Sequence, residues 1–299
     1  MQHHMARTKT INAPDLSNLL APRTPIMVAV ESAILNRNEL SSAATPVPEQ
    51  IAVRLAGVIA MDLIHAGQRL LEKDISDVLR VSRAPVREAL RILERERLVE
   101  FLPRRGAIVT APSAKDIADI YVVRLALFRI MLRQLMTRRP AELEAVFDKH
   151  MPQIGKAVEQ GDVDGYALAT FLLNMDMLKL AGGGLVAELL ASISLRVLSY
   201  VRLGHAADPP SLAASMKSWR ALHKAIARRD VDEVLATLAK RIQLSRDAAV
   251  QAIQPSPAVP GPSPAVSRTG ASGRARSRPS VLSRRSSERP VSRPRRSAA

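Results

Sequence analysis

The chain has 299 residues with 47% hydrophobic content, long enough for about two domains with a core in each. It contains no cysteine, which excludes disulfides and thiolate metal sites and suits a reducing compartment such as the cytoplasm. The formal net charge of +16 points to a polyanionic partner, but a net +9 of it falls in residues 251–299, where ten arginines face one acid, Glu288.

Residues 1–48 are rich in Pro, Ser, Thr and Asn and read as a poorly ordered arm, with a short helical pattern only at 25–35. No signal-peptide-like apolar run follows Met1, and no stretch approaches the roughly 18 apolar residues that a membrane-spanning helix needs. The expectation is a cytoplasmic protein without a membrane partner. From Glu49 the pattern becomes helical: Ile51, Leu55, Val58, Ile59 and Leu63 share one face of a first helix, which Gly67 is expected to end. A second helix over 72–79 and a third from Arg83 follow, with Ser82 as the N-cap and Pro85 in the first turn. Two β-prone runs, 98–101 and 107–110, flank the turn that holds Arg104, Arg105 and Gly106.

In the third helix Val86, Ala89, Leu90 and Leu93 form an inward stripe, while Arg83, Arg87 and Arg91 recur every four residues on the other side. Arginines in the first turns of the second helix of a helix-turn-helix are placed to reach the major groove, where each can give two hydrogen bonds to one guanine. A basic hairpin after it, carrying Arg104, Arg105 and Gly106, is a wing suited to the phosphate backbone. The competing reading is a solvated helix face on which Glu88, Glu94 and Glu96 pair with the arginines.

Beyond Ser113, whose pairing with Asp116 has the form of a capping box, only helices are predicted, at 114–138, 141–160, 163–181, 184–203, 211–229 and 231–250. The fold class is therefore mainly α, a winged helix-turn-helix domain followed by an all-helical bundle. Asp162 and Asp164 read as helix-start residues, Gly182 to Gly184 as a helix break, Met131, Met136, Met175 and Met177 as packing residues, and His223 as a surface or satisfied core histidine. No nucleophile with a base and an orienting partner is present, so no enzyme is expected. Residues 251–299, almost entirely Pro, Ser, Ala and Arg, are expected to be disordered and to add DNA affinity by counterion release.

The stretch "LLEKDISDVLRVSRAPVREALRILERERLVEFLPRRGAIVTAPS" resembles the winged helix-turn-helix of the GntR family of bacterial transcription regulators. The resemblance, over residues 49–112, implies DNA contact by Arg83, Arg87 and the wing from Arg104 to Gly106, with Arg91 on the same helical face. Lys73 stands where the family often has arginine and can meet phosphate only as a point charge. Residues 113–250 resemble the helical domain of the FadR-like branch, called FCD, through Arg124, "LAGGGLVAELL" and "ALHKAIARRDVDEVLATLAKRI".

That resemblance implies a dimerising, effector-binding domain, which many members equip with a divalent metal held by one Asp and three His. The matching positions here are Thr170, Asn174, Trp219 and Arg241, none a good ligand. No metal cofactor is therefore expected; Arg241 with Arg124 is expected to meet an anionic effector, unless the pocket is filled. The resulting expectation is a homodimer on a palindromic double-stranded DNA operator, answering to an unidentified small effector, with repression the commoner outcome in the family. The alternative is an effector-independent architectural DNA-binding protein, which requires a closed helical pocket.

Overall fold

The structure, a computed structural model, describes residues 28, 31, 46–103 and 106–254. Val28 and Glu31 are helical, and Glu31 is buried against Arg54; Val47 and Pro48, assigned to the arm from sequence, instead open the first helix, and the other residues up to 45 and those from 255 on lie outside the described residues.

The head starts with α1 (Val47–Ala60), whose first turn tolerates Pro48 because the N–H that proline lacks has no partner within the helix there. The expected face is observed for Ile51, Leu55, Val58 and Ile59, all buried, whereas Leu63 is 39% exposed. The reason is that α1 ends at Ala60, before Leu63, and not at Gly67. Gly67 instead takes a left-handed conformation at the end of the turn and leads into a short strand, β1 (Arg69–Leu70), which the sequence pattern did not reveal.

Next come α2 (Glu72–Leu79), α3 (Arg83–Arg95), β2 (Val99–Leu102) and β3 (Gly106–Val109). The strands form an antiparallel sheet in the order β1, β3, β2, with Glu100 opposite Ile108 and Arg69 on the other side of Ile108. Arg80, in a left-handed conformation, closes α2 and turns the chain into α3. Ser82 occupies the N-cap of α3, but its hydroxyl accepts no capping hydrogen bond, contrary to expectation. The buried side chains Val86, Ala89, Leu90 and Leu93 tie α3 to Leu55 and Val58 of α1 and to Val99 of the wing. This stripe fixes which face of α3 is left for solvent.

The helical half consists of α4 (Ala114–Arg138), α5 (Pro140–Gln160), α6 (Val163–Ala181), α7 (Leu185–Ala207), α8 (Ser211–Ala227) and α9 (Val231–Ile253). Ser113 and Asp116 do form a capping box, each accepting the other's backbone N–H at 3.1 Å. Asp162 and Asp230 cap α6 and α9 through Gly165 N–H and Glu233 N–H. Gly182, Gly183 and Gly184 all have positive φ and break the chain between α6 and α7. Helix α9 runs to Ile253, three residues past its predicted end, and α7 extends to Ala207.

The bundle closes by packing α4 on α9 and α7, α5 on α6 and α8, and α8 on α9. At Gly204 of α7 a Cβ would lie 2.9 Å from the backbone nitrogen of Ala249 on α9, so the two backbones approach through the missing side chain. Met131, Met136, Met175 and Met177 are all buried. The two cores meet along α1 and α7: Ala60 and Met61 pack into the helical core, and Leu195 of α7 packs on that of the head. Arg202 of α7 spans the same seam, donating to Asp164 at 2.7 Å and to Asp62 of the head at 3.5 Å. Among the described residues no helix is long and apolar enough to cross a membrane.

Candidate nucleic-acid interface and a buried arginine pair

Burial of the stripe on α3 leaves Arg83, Arg87 and Arg91 exposed together on its opposite side, with exposed Lys73 on neighbouring α2. Arg87 does not float free. Its Nε and Nη2 donate to the two carboxylate oxygens of Glu72 on α2 at 2.9 and 2.8 Å, a two-pronged contact across the helix-turn-helix. Arg87 holds the Glu72 carboxyl below the usual carboxylate range, chiefly through these hydrogen bonds, and the charges of Arg83 and Arg91 add to the effect. All three arginines thus bear on one acid, as expected of a single positive face.

Arg91 is anchored differently. Its Nη1 donates to Glu94 at 2.8 Å, and its guanidinium carbon lies 4.1 Å from the ring centroid of Phe101 on β2. The contact links α3 to β2 of the hairpin. Glu88 faces Arg95 at 3.8 Å. The solvated-face reading is therefore right about Arg91 and Glu94, but it misses the acid that matters for Arg87, which is Glu72. Residues 72 and 87 lie fifteen positions apart on different helices, so helical spacing carries no signal of their contact. Gly106, exposed and at φ 73°, opens β3 opposite Leu102. Arg104 and Arg105 lie outside the described residues.

The second group of sequence-predicted residues lies inside the bundle. Arg124 of α4 and Arg241 of α9 are 4% and 6% exposed, and no carboxylate of the described residues pairs with either. Arg124 lies over the rings of Phe128 and Tyr121, 4.9 and 5.9 Å from their centroids, and its Nη1 has no hydrogen-bond partner. Arg241 is stacked on Trp219 of α8 at 3.3 Å. Burial pushes Arg241 down to about 10, and the nearby positive charge of Arg124 pushes the same way. Two buried guanidiniums without an acid are an expensive arrangement in a protein interior.

Arg124, Asn174, Trp219 and Arg241 share one small cavity of about 10 Å³, walled by apolar side chains including Phe128, Leu132 and Met177. That is about the room of one water molecule. Thr170 does not line it: its hydroxyl donates to the Ala167 carbonyl at 3.0 Å, one turn back on α6. The residues at the four positions where the resemblance places metal donors do not suit a cation. The Asn174 amide nitrogen donates to the Thr170 carbonyl, Trp219 Nε1 donates to the Tyr166 hydroxyl, and Arg241 brings a positive charge.

Around this cavity Tyr166 also hydrogen-bonds Ser215, and the His205 ring meets the edge of Tyr166 at 4.8 Å. His205 Nδ1 is 2.6 Å from the Ser211 hydroxyl, and burial, then the charge of Arg241, pushes its pKa down to about 4. His223 pairs with Asp148 at 2.9 Å and stacks on Phe147, a satisfied histidine. A larger, open cleft of about 540 Å³ lies along α5 and α6, where Lys149 and His150 both bond to Asp176.

Residues 48–109 match the bacterial regulatory proteins of the gntR family, and residues 119–244 match the FCD domain. The gluconate operon transcriptional repressor of Bacillus subtilis is 33% identical over 140 residues, covering 47% of this chain and 56% of the repressor. An HTH-type transcriptional regulator from the TAR-I ttuE-ttuC' intergenic region of Agrobacterium vitis is 33% identical over 118 residues, 38% of this chain and 69% of that one. The chain spans about half the length of the curated relatives it first matches. Among solved structures, Escherichia coli McbR/YncC superimposes with a TM-score of 0.61 at 18% identity over 70% of this chain and 99% of that one, a shared fold.

Proposed function

Since the chain belongs to the GntR family of bacterial regulatory proteins and carries an FCD domain, we propose that it is a sequence-specific transcriptional regulator, not an enzyme. The observation that carries this reading is the basic face of α3: exposed Arg83, Arg87 held by Glu72, and Arg91 stacked on the wing through Phe101. Two heads related by a twofold axis would read a palindromic operator, since one recognition helix covers only a half-site. The matched B. subtilis relative is named a repressor, and repression is the sign we assign here.

The helical half acts in this reading as the dimerisation and effector domain. It has the physical means to signal to the head: α7 packs on the two helices that carry Arg124 and Arg241 and also on α1 of the head. A second reading is favoured by the roughly 10 Å³ cavity, too small for any effector as it stands: a broad architectural DNA-binding protein without an effector.

One experiment separates the two. Purified full-length protein is mixed with fragmented DNA of its own source at near-physiological salt, and the bound fragments are sequenced. Regulation predicts a few discrete sites sharing a short inverted repeat. Diffuse binding that follows base composition alone would replace the regulator with the architectural protein.

A further inference from the structure

We propose that Arg124 and Arg241 form a metal-free binding site for a small monocarboxylate, with both guanidiniums on the carboxylate and the ligand's apolar body against Phe128, Leu132 and Met177. The inference rests on the reading of the helical half as an effector domain and goes beyond it, naming the ligand class and the group that replaces a metal.

Three observations carry it. Arg124 is only 4% exposed, and its Nη1 has no hydrogen-bond partner. An unpaired donor on a cation in the interior is costly, and an anionic oxygen is the group that relieves it. Arg241 is equally hidden and lines the same cavity, without a carboxylate among the described residues to balance either charge. The remaining wall is apolar, apart from Asn174 and the indole of Trp219, so the site suits a single charged head on a hydrocarbon body better than a fully hydrated inorganic ion. In place of divalent-metal ligands the protein itself supplies the positive charge, on Arg241.

The cavity of about 10 Å³ is too small for such a ligand, so entry requires Trp219 to leave its stack on Arg241. Trp219 is held there by its Nε1 hydrogen bond to Tyr166, at 3.1 Å. It is also the only tryptophan of the chain, so its emission reports the opening directly.

The test titrates full-length protein, in buffer treated with a chelator, with sodium acetate, butyrate and hexanoate and, separately, with inorganic phosphate and chloride. Tryptophan emission and melting temperature are read throughout. The expected result is a saturable emission change and a higher melting temperature with butyrate or hexanoate but not with the inorganic ions. Arg124→Gln and Arg241→Gln should each weaken that binding by about tenfold or more, and Arg133→Gln, on the exposed side of α4, should leave it unchanged. Arg241→Met should lose binding yet melt at a higher temperature than the parent, because it removes an unbalanced buried charge.

Three outcomes overturn the proposal: no saturable response to any monocarboxylate, a response that survives in both Gln variants, or a response that appears only on adding back a divalent metal. Response to phosphate or chloride alone overturns the ligand class. DNA binding measured on the same samples keeps the two claims apart. If DNA is bound and the carboxylates are not, the site fails and the regulator stands; if carboxylates bind without changing DNA affinity, the site stands and its role as effector pocket fails.

Discussion

The arginines of α3 and those of the helical core are the same chemical group placed under opposite rules. On α3, Arg87 and Arg91 are exposed and lie within reach of acids, Glu72 and Glu94, which orient them and leave part of each guanidinium fork turned outward. In the core, Arg124 and Arg241 are hidden and have aromatic rings for neighbours, and no acid of the described residues pairs with them. An exposed, pre-positioned arginine costs little and suits a polyanion that arrives with its own counterions to release. A buried, unbalanced one destabilises the fold unless a discrete anion joins it.

That contrast can be broken at either end, and the largest effect is expected from its scaffold. Leu90→Ala empties a fully buried site beneath α3 and should cost the head about 2–5 kcal/mol. DNA binding should fall with it, while Trp219 emission at its own distant site stays that of the parent. A shift in emission on this substitution would show that the two arginine sets do not sit on separable cores.

Between pH 7 and 4.5 acid should act on the core and not on α3, where Arg87 keeps the Glu72 carboxyl ionised. With a pKa of about 4 in the fold, against about 6.5 for an ordinary histidine, His205 takes up its proton more readily in the unfolded chain. Stability tied to this group is therefore present above pH 6.5 and is lost as pH falls towards 4, by about 3 kcal/mol at most. Denaturant midpoints between pH 7 and 4.5 check this, and His205→Gln should flatten the slope. Arg241→Met should flatten it in part, because Arg241 is one cause of the depressed value.

Smaller effects are expected at the surface pairs. Glu72→Gln frees Arg87 from its clamp and removes a negative charge from the DNA-facing side. Affinity for random duplex should rise while discrimination between the selected site and random DNA falls, about tenfold at the base Arg87 reads. Equal changes on both duplexes would mean that Glu72 tunes charge only. Smallest of all, Arg202→Ala removes the half-exposed link from α7 to Asp164 and Asp62 and should cost about 1 kcal/mol or less in thermal stability.

Much of the fold is legible in the order of apolar and polar residues. The third helix is strongly periodic, the six helices of the bundle are long runs bounded by Pro, Gly and Asp, and the caps Ser113, Asp162 and Asp230 are local signals that need no tertiary knowledge. What escapes the pattern is set by contacts between distant residues. Strand β1 is two residues long and exists because it pairs with β3, and the turn after Ala60 exists because Met61 is drawn into the helical core. The site follows the same division. That α3 is basic can be read directly, but the clamp of Arg87 by Glu72, the stacking of Arg91 on Phe101 and the burial of Arg124 without an acid arise only when separate helices meet.

The central claim is that the exposed arginines at the start of α3 read DNA. Its most direct test is the affinity of the double variant Arg83→Gln, Arg87→Gln for a fragment selected by the parent protein, measured beside an unrelated duplex at the same salt. The account predicts that the variant keeps its helical circular dichroism, loses about 100-fold or more on the selected fragment, and binds both duplexes alike. Retained preference for the selected fragment at near-parental affinity would contradict it and move recognition off α3.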